Sequence, residues 1–359
     1  MRRYSSWTAV VLGALLVVPT VLTGPALARV RARPVATGLN APVGFTFAPN
    51  GSLVYLERHT GWLRFRNLRR DSDRRIYRVP NVNSDGERGA LGVALHPRWP
   101  DRPFAFVFAT RNTSAGVRNQ VLRIRIERGR ATGVRVILSS PDSATSMNHN
   151  GGRIAFGPDG KLYVVIGEDA VPANSQDRSA NLRGKILRLD PNGTAARGNP
   201  FGNRIWAYGI RNSIGFAFDP FTGRLWEQDN GPTCNDEVNR VPRGANMGWG
   251  PRESCPNTNN SGPRPRVRPR FTFADTKGLT GVAFCNACGL GRGFHGDLLV
   301  GAVNDGMIRR FDLGARRRGF DRGPLRVLDR ATGVLSLEVG PNRRIFFSDV
   351  NGVYRLVRR

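Results

Sequence analysis

The sequence predicts an all-β protein, a six-bladed β-propeller of four-stranded antiparallel blades, and two observations lead to this fold class. One pattern occurs six times: a Gly or small residue, an alternating apolar strand, a turn rich in Pro, Asn, Asp and Gly, and a second apolar strand. A strand in which Arg alternates with apolar residues follows each copy. Repeats of this kind are typical of propellers, because each blade needs neighbours to cover its faces.

Each copy opens with the predicted innermost strand of a blade. The turns have a physical reason to recur, because Pro fixes φ and Asn-Gly or Asp-Gly supplies the positive φ of a tight hairpin. A β-sandwich would have strands at similar spacing but no repeated pattern. The copies begin at Gly44, Gly92, Arg153, Gly215, Gly281 and Leu335, and the Arg-alternating strands are residues 62–66, 121–126, 186–189, 237–241, 307–311 and 353–356.

The first 28 residues have the pattern of a signal peptide. Arg2 and Arg3 precede an apolar run at residues 9–22, and residues 26–28 form a small-x-small cleavage site. The alternative, an uncleaved membrane anchor, is less favoured because the apolar run is short for a bilayer span. We therefore expect a secreted protein whose residues 29–359 form a single propeller domain.

Four cysteines in an exported chain indicate disulfides. Cys285 and Cys288 could close a tight local loop, which leaves Cys234 and Cys255 to pair across a longer one. A zinc site would want two close pairs, and only one pair is close. A redox-active Cys-x-x-Cys would want a helical context, which an all-strand chain lacks.

The net charge of +28 comes almost entirely from Arg. Such a charge attracts polyanions and is compatible with loose association with an anionic cell surface. An Arg-biased composition on a solvated surface is the simpler explanation. An exported propeller meets little nucleic acid, so no specific nucleic-acid partner is expected.

Polar loops next to the innermost strands are the places where a propeller carries its chemistry. His149 lies in a Gly-rich loop before the third innermost strand, and His is the natural general base near neutral pH. Arg211 and Asn212 stand at the equivalent position of the fourth blade, and Arg binds carboxylates through paired hydrogen bonds. A turn-capping His and a structural ion pair of the Arg are the alternatives.

Two further loops have suggestive compositions. Residues 229–237 are acidic and rich in Gly and Pro, and their carbonyl and carboxylate oxygens suit Ca²⁺, although they do not match an EF-hand. Residues 85–92 lead into the second innermost strand and should face the same channel mouth.

From about Ala36 to its C-terminus the chain resembles the soluble aldose dehydrogenases that depend on pyrroloquinoline quinone (PQQ), the glucose/sorbosone dehydrogenase family. The resemblance is carried by residues 149–153 with 156–160, 182–188, 209–212, and 229–232 with 236–239. It implies that a sugar's anomeric hydroxyl is oxidised to a lactone, with hydride passing to PQQ and electrons to an external acceptor. It implies His149 and Arg211 as catalytic residues, Glu87, Asn148, Arg211, Asn212 and Arg330 as cofactor-binding residues, and Gly231 and Pro232 as ligands of a Ca²⁺ ion that also binds the quinone.

The chain departs from the pattern of better-studied members at several positions. Glu87 replaces a Gln, and Asn148 replaces an Asp that some members carry. Asn304 stands where those members have a Lys, and their Arg-x-Arg is reduced to Arg330 followed by Ala and Thr332. Each lost charge-assisted hydrogen bond could cost about 1.5–3 kcal/mol of cofactor binding.

These departures leave a second function open. A propeller that keeps the scaffold and His149 but binds a sugar or polysaccharide without PQQ would tolerate the missing cations. A lactonase-type hydrolase ranks last, because no Glu and Asp stand at suitable starts of innermost strands to hold its metal.

Overall fold

The structure is a computed structural model that describes residues 30–140, 146–179, 181–253, 255, 261–330 and 332–359. The predicted signal peptide at residues 1–28 lies outside the described residues. No helix in the described ranges is long and apolar enough to span a membrane.

Twenty-four strands form six four-stranded antiparallel sheets, which confirms the predicted fold class. Blades 1 to 5 are β2–β5, β6–β9, β10–β13, β14–β17 and β18–β21, and blade 6 combines β22–β24 with β1. Short 3-10 helices cover Pro172–Ser175, Arg292–Phe294 and Pro341–Arg343. The strands are β1 (Val30–Thr37), β2 (Phe45–Phe47), β3 (Leu53–Leu56), β4 (Trp62–Asn67), β5 (Ser72–Arg78), β6 (Ala90–Leu95), β7 (Phe104–Thr113), β8 (Gly116–Glu127), β9 (Arg130–Ser139), β10 (Ile154–Phe156), β11 (Leu162–Ile166), β12 (Lys185–Leu189), β13 (Ile205–Tyr208), β14 (Gly215–Phe218), β15 (Leu225–Asp229), β16 (Cys234–Val241), β17 (Phe271–Asp275), β18 (Leu279–Phe284), β19 (Leu298–Ala302), β20 (Met307–Leu313), β21 (Phe320–Asp329), β22 (Ser336–Val339), β23 (Ile345–Ser348) and β24 (Gly352–Arg358).

The six repeated patterns coincide with the six blades. Each predicted opening overlaps the first strand of a blade, namely β2, β6, β10, β14, β18 or β22. Each Arg-alternating segment lies in the third strand, namely β4, β8, β12, β16, β20 or β24. Both predicted disulfides are also confirmed, with Cα–Cα distances of 6.0 Å for Cys234–Cys255 and 5.0 Å for Cys285–Cys288.

The ring is closed by a strand that the repeat did not predict. β1 pairs antiparallel with β24, from Val30 opposite Arg358 to Thr37 opposite Gly352. The first strand of the chain is thus the outermost strand of the last blade. Closure of this kind ties the two ends of the propeller together.

The core lies between adjacent blades rather than inside any one of them. Phe106 and Phe108 of β7 are fully buried and belong to one cluster with Val164 and Leu187 of blade 3. Near the axis the strands approach so closely that a Cβ atom on Gly92 would lie 2.1 Å from the carbonyl oxygen of Gly152. Only glycine fits such a position.

Strand direction gives the molecule two distinct faces. All six innermost strands begin at one face, which we call the front face, and their first hairpin turns lie at the other, the back face. An ion pair joins opposite blades across the central channel, with Arg153 Nη1 2.6 Å from Glu338 Oε1. Arg153 and Glu338 line two cavities of about 320 and 350 Å³ on the inner side of the back face.

Candidate active site

The topology brings the predicted site residues from different blades to the front face. The segments that enter innermost strands carry Glu87, Asn148, His149, Arg211, Asn212 and Arg330, and the connection from β15 to β16 carries Gly231 and Pro232. Connections between second and third strands meet the same face. Hydrogen bonds join Glu87, His149, Arg211 and Asn212 into one network, as described next.

His149 is held at both its backbone and its ring. Its backbone N–H donates to Glu87 Oε2 at 2.7 Å, and its ring Nδ1 lies 2.7 Å from Glu168 Oε1. The Glu168 side chain is fully buried and that of His149 is 11% exposed. A carboxylate at Nδ1 favours the tautomer with the proton on that nitrogen, which leaves the lone pair on Nε2.

Glu168 was not predicted from the sequence. It follows β11 and is placed by a close approach of two backbones, because a Cβ on Gly167 would lie 2.2 Å from the carbonyl oxygen of His149. The backbone N–H of Glu168 donates to the carbonyl of Arg211 at 2.9 Å. A carboxylate directly after an apolar second strand was the only indication in the sequence.

Arg211 is a buried cation that the described residues do not pair with a carboxylate. Its Nη1 donates to the carbonyls of Asn230 and Gly231 at 3.0 and 2.9 Å, and its guanidinium lies 5.2 Å from the ring centre of Trp249. Within the described chain its Nε has no hydrogen-bond partner. A desolvated guanidinium with a free donor is a binding element for an anion or a polarised oxygen.

Asn212 and Asp229 fix the backbone beside this cation. The Asp229 carboxylate accepts the backbone N–H groups of Arg211 and Asn212 at 2.8 and 2.6 Å. The Asn212 side-chain amide is 3.3 Å from both carboxylate oxygens of Glu87. Glu87 therefore links the His149 loop to the Arg211 loop.

The predicted calcium ligands, Gly231 and Pro232, are poorly placed to bind a cation. The carbonyl of Gly231 already accepts a hydrogen bond from the Arg211 guanidinium, so a cation on that oxygen would lie next to a positive charge. No group of three or more His, Cys, Asp or Glu side chains in the described ranges could hold a metal ion. The geometry does not favour Ca²⁺ at Gly231, and its binding by Gly231 and Pro232 stays a prediction.

The remaining predicted residues lie at the rim of the front face. Arg330 Nη2 pairs with Asp349 at 2.8 Å, and the same carboxylate accepts the Thr332 hydroxyl at 2.8 Å. The Asn148 side chain is exposed. Asn304 brings no charge, so the cations that the resemblance led us to expect there are absent or neutralised among the described residues. The cofactor-binding roles of Arg330 and Asn148 stay predictions.

Buried carboxylates lie beneath the Arg211 backbone. Glu227 and Asp229 share one face of β15 and stand opposite Asn239 and Glu237 of β16, and all four are at most 2% exposed. Burial raises the pKa of Asp229 to about 6 and raises that of Glu227 well above its usual value. Burial without full neutralisation makes the ionised forms costly.

Replacing Glu227 with Gln should stabilise the protein increasingly as the pH rises. The folded protein binds more protons at these raised carboxyls than the unfolded chain, so their contribution lowers stability as pH rises from about 4. Glu227→Gln removes one charge but keeps the acceptor for Asn239, which donates to Glu227 Oε1 at 3.0 Å. We expect a gain of about 1 kcal/mol at pH 8.

Thermal unfolding at pH 4.5 and pH 8 would measure this effect, with the exposed back-face substitution Asp101→Asn as the control. A loss of stability at pH 8 would contradict the prediction and make the Glu227 carboxylate a favourable part of the blade.

Comparisons with known proteins find sugar dehydrogenases, and also proteins with other names such as the Hedgehog-interacting protein of Homo sapiens, which is 27% identical over 44% of this chain and 25% of its own length. The sequence model described as Glucose / Sorbosone dehydrogenase matches residues 39–357. The quinoprotein glucose dehydrogenase B of Acinetobacter calcoaceticus is 28% identical over 60% of this chain and 51% of its own length. The aldose sugar dehydrogenase YliI of Escherichia coli is 28% identical over 74% of this chain and 76% of its own.

Solved structures of sugar dehydrogenases are also similar to this chain. The PQQ-bound aldose sugar dehydrogenase from Streptomyces coelicolor superposes with a TM-score of 0.80, 26% identity, and coverage of 93% of this chain and 99% of the other. The chain spans about half of the length of the Acinetobacter enzyme, so that relative's full activity is not transferred by the match alone.

Proposed function

Because the chain belongs to the glucose/sorbosone dehydrogenase family, we propose that it oxidises the anomeric hydroxyl of an aldose to a lactone, with hydride transfer to PQQ. The PQQ named for the Streptomyces structure and the quinoprotein relative support this cofactor. Electrons then pass to an external acceptor. The sugar is a small-molecule substrate reached through the front face.

The observation that carries the proposal is that a base lies close to a buried cation, and the described residues give this cation no direct carboxylate partner. The His149–Glu168 pair and Arg211 are connected through the Glu168 N–H and the Arg211 carbonyl. A base and a cation are both required to take a proton from a hydroxyl and to stabilise negative charge on an acceptor. The free Nε of Arg211 fits the anionic character of PQQ.

The residues have separable tasks in the reaction. His149 Nε2 accepts the proton of the sugar hydroxyl, and Glu168 stabilises the imidazolium that forms. Arg211 and Asn212 bind and orient oxygen atoms of the acceptor. PQQ, when bound, supplies the two-electron acceptor for the hydride.

A second function has its own structural support. Arg330 is neutralised by Asp349, and Asn304 replaces a cation, so the rim offers little charge to the cofactor's carboxylates. A propeller that binds a sugar or polysaccharide without PQQ would have this rim. The buried Arg211 favours the dehydrogenase.

We propose that the protein works outside the cytoplasm. Its two disulfides require an oxidising compartment, and residues 1–28 have the pattern of a cleavable signal peptide. Removal of that segment would leave residues 29–359 as one propeller domain.

Titration of purified apo-protein with PQQ, with and without Ca²⁺, tests the proposal. An aldose and a redox dye are then added. Micromolar or tighter binding followed by sugar-dependent dye reduction is the expected result. Absence of PQQ binding together with sugar binding would replace the dehydrogenase with the binding propeller. A requirement for Ca²⁺ would restore Gly231 and Pro232 as its ligands.

The Glu87→Gln variant should bind PQQ more tightly than the wild-type protein. Gln keeps an oxygen acceptor for the His149 N–H but removes a negative charge next to Asn212. Removing that repulsion toward an anionic cofactor should lower Kd roughly fivefold, about 1 kcal/mol. Calorimetric titration of the apo-protein measures it. Asp85→Asn, in the same exposed loop, is the matched control. Weaker PQQ binding by the Glu87→Gln variant would contradict the prediction and make the Glu87 carboxylate a cofactor ligand.

A further inference from the structure

The back face of the propeller exposes arginine from every blade. These residues lie in the connections between first and second strands or between third and fourth strands, which start and end at this face because of strand alternation. The long β16–β17 connection also reaches the front face, where Trp249 packs on Arg211 and Cys255 is bonded to Cys234. They form a ring around the channel, which we call the arginine ring. It consists of Arg69 and Arg70 in blade 1, Arg98, Arg102 and Arg128 in blade 2, Arg197 in blade 3, Arg243 in blade 4, Arg292, Arg316 and Arg318 in blade 5, and Arg343 in blade 6.

Acidic side chains do not cancel this charge. Several acids on the back face are engaged by other cations, in the pairs Asp71–Arg66, Asp159–Arg188 and Asp190–Lys161. Asp101 and Asp321 are exposed acids that also lie there. The positive surplus of the described back face therefore belongs mainly to the arginine ring.

The front face has a different charge pattern. The connections that join blades, or second to third strands, expose Asp85, Glu87 and Asp177 alongside Arg178. The part of the β16–β17 connection that reaches this face exposes one cation and one anion, Arg252 and Glu253. The net charge of +28 is thus distributed unevenly between the two ends of the propeller. A charge asymmetry of this kind orients a protein at a charged surface.

The shape of the arginine ring suits a flat, extended binding partner better than a linear polymer. The ends of six radially arranged blades can all touch a flat surface at once, whereas a linear polymer would contact only part of the ring. Two large apolar side chains are exposed on the same face, Phe221 at 45% and Val339 at 48%. The front face also exposes apolar side chains, Met147, Val171, Val303 and Val350, so the arginine charge is the feature that distinguishes the back face.

Both chain ends meet at this face. β1 begins at the back face, because its Val30 pairs with Arg358 at the end of β24. Arg358 and Arg359, exposed at the end of β24, add two cations to this face.

We propose that the arginine ring docks the protein on an anionic lipid bilayer through headgroup phosphates, with the front face turned toward solvent. Guanidinium groups bind phosphate through paired hydrogen bonds, and clustered cations near an anionic bilayer add their attractions. The site then stays open to a soluble substrate while the protein is held at the membrane. This docking does not depend on the proposed catalytic activity.

Vesicle flotation with the purified protein, its N-terminal residue determined, tests the proposal. Vesicles of phosphatidylcholine with 30% phosphatidylglycerol should carry the protein at low salt, and vesicles of phosphatidylcholine alone should not. Raising NaCl to 0.5 M should release it, because screening shortens the range of the attraction.

A charge-reversal variant locates the contact. The triple change of Arg69, Arg316 and Arg343 to Glu should weaken partitioning at least roughly 100-fold. A matched variant with Arg33, Arg135 and Arg178 changed to Glu alters net charge equally, at two outer-strand positions and one front-face position, and should bind nearly as well as the wild type. Circular dichroism and thermal unfolding confirm that both variants are folded.

Two results would overturn the proposal. Equal loss of binding in both variants would mean that net charge alone acts, with no docking face. Binding to soluble polyphosphate without binding to the anionic vesicles would make the partner an acidic polymer instead of a bilayer.

Discussion

A His149→Asn variant should lose sugar-dependent dye reduction by roughly 10²–10⁴-fold while it still folds and binds PQQ. Asn has no basic nitrogen to accept the hydroxyl proton, whereas Arg211 and Asn212 remain in place. Steady-state kinetics with a fixed aldose, paired with a PQQ titration of the apo-protein, separates the two effects.

Asn tests the role of the imidazole more cleanly than Ala does, because the backbone at residue 149 has a left-handed conformation. His149 has a φ of 58°, a left-handed conformation that Asn tolerates better than Ala. His149→Ala should show the same catalytic loss with some added instability, and His295→Asn on the back face should leave activity unchanged. If His149→Asn kept full activity, the base would be another group; if both His149 variants failed to fold, His149 would be structural.

Removal of the closing strand should have the largest effect on stability. A chain that begins at residue 38 lacks β1 and leaves β24 as an unpaired edge of a three-stranded blade. We expect the free energy of unfolding to fall by more than about 4 kcal/mol, with a melting temperature lower by about 10 °C or more. Exposed edges also promote aggregation.

A chain that begins at residue 29 is the matched control, because it keeps the whole of β1. Adding a synthetic peptide of residues 29–40 to the shortened chain should restore part of the lost stability, because pairing with β24 is the missing interaction. Equal melting temperatures for the two chains would show that the sixth blade is stable with three strands.

Local chemistry explains why so much of the fold could be predicted. The turn at Asn50-Gly51 and the alternation of Arg with apolar residues in β4 are set by residues near one another in the sequence, and the same local pattern recurs in each blade. When the same unit repeats along the chain, each unit packs against the adjacent units in the same way, so the repeat also predicts how the blades are arranged. β1 escaped prediction because its partner is at the opposite end of the chain and no copy of the pattern precedes it.

The site was predictable only where residue type and loop context coincide. His149 and Arg211 stand in loops that the repeat places at the front face. Glu168 and Asp229 act through tertiary hydrogen bonds to His149 Nδ1 and to two backbone N–H groups, which no spacing in the sequence encodes. The ion pair between Arg330 and Asp349 is likewise a tertiary contact, which the sequence pattern does not encode.

The pairing of β1 with β24 also determines when the ring can close during protein synthesis. The ribosome makes β1 first and its partner last, separated by five complete blades. The ring consequently stays open until almost the whole polypeptide has left the ribosome. The pairing of β1 with β24 is therefore the last contact of the ring that can form during synthesis.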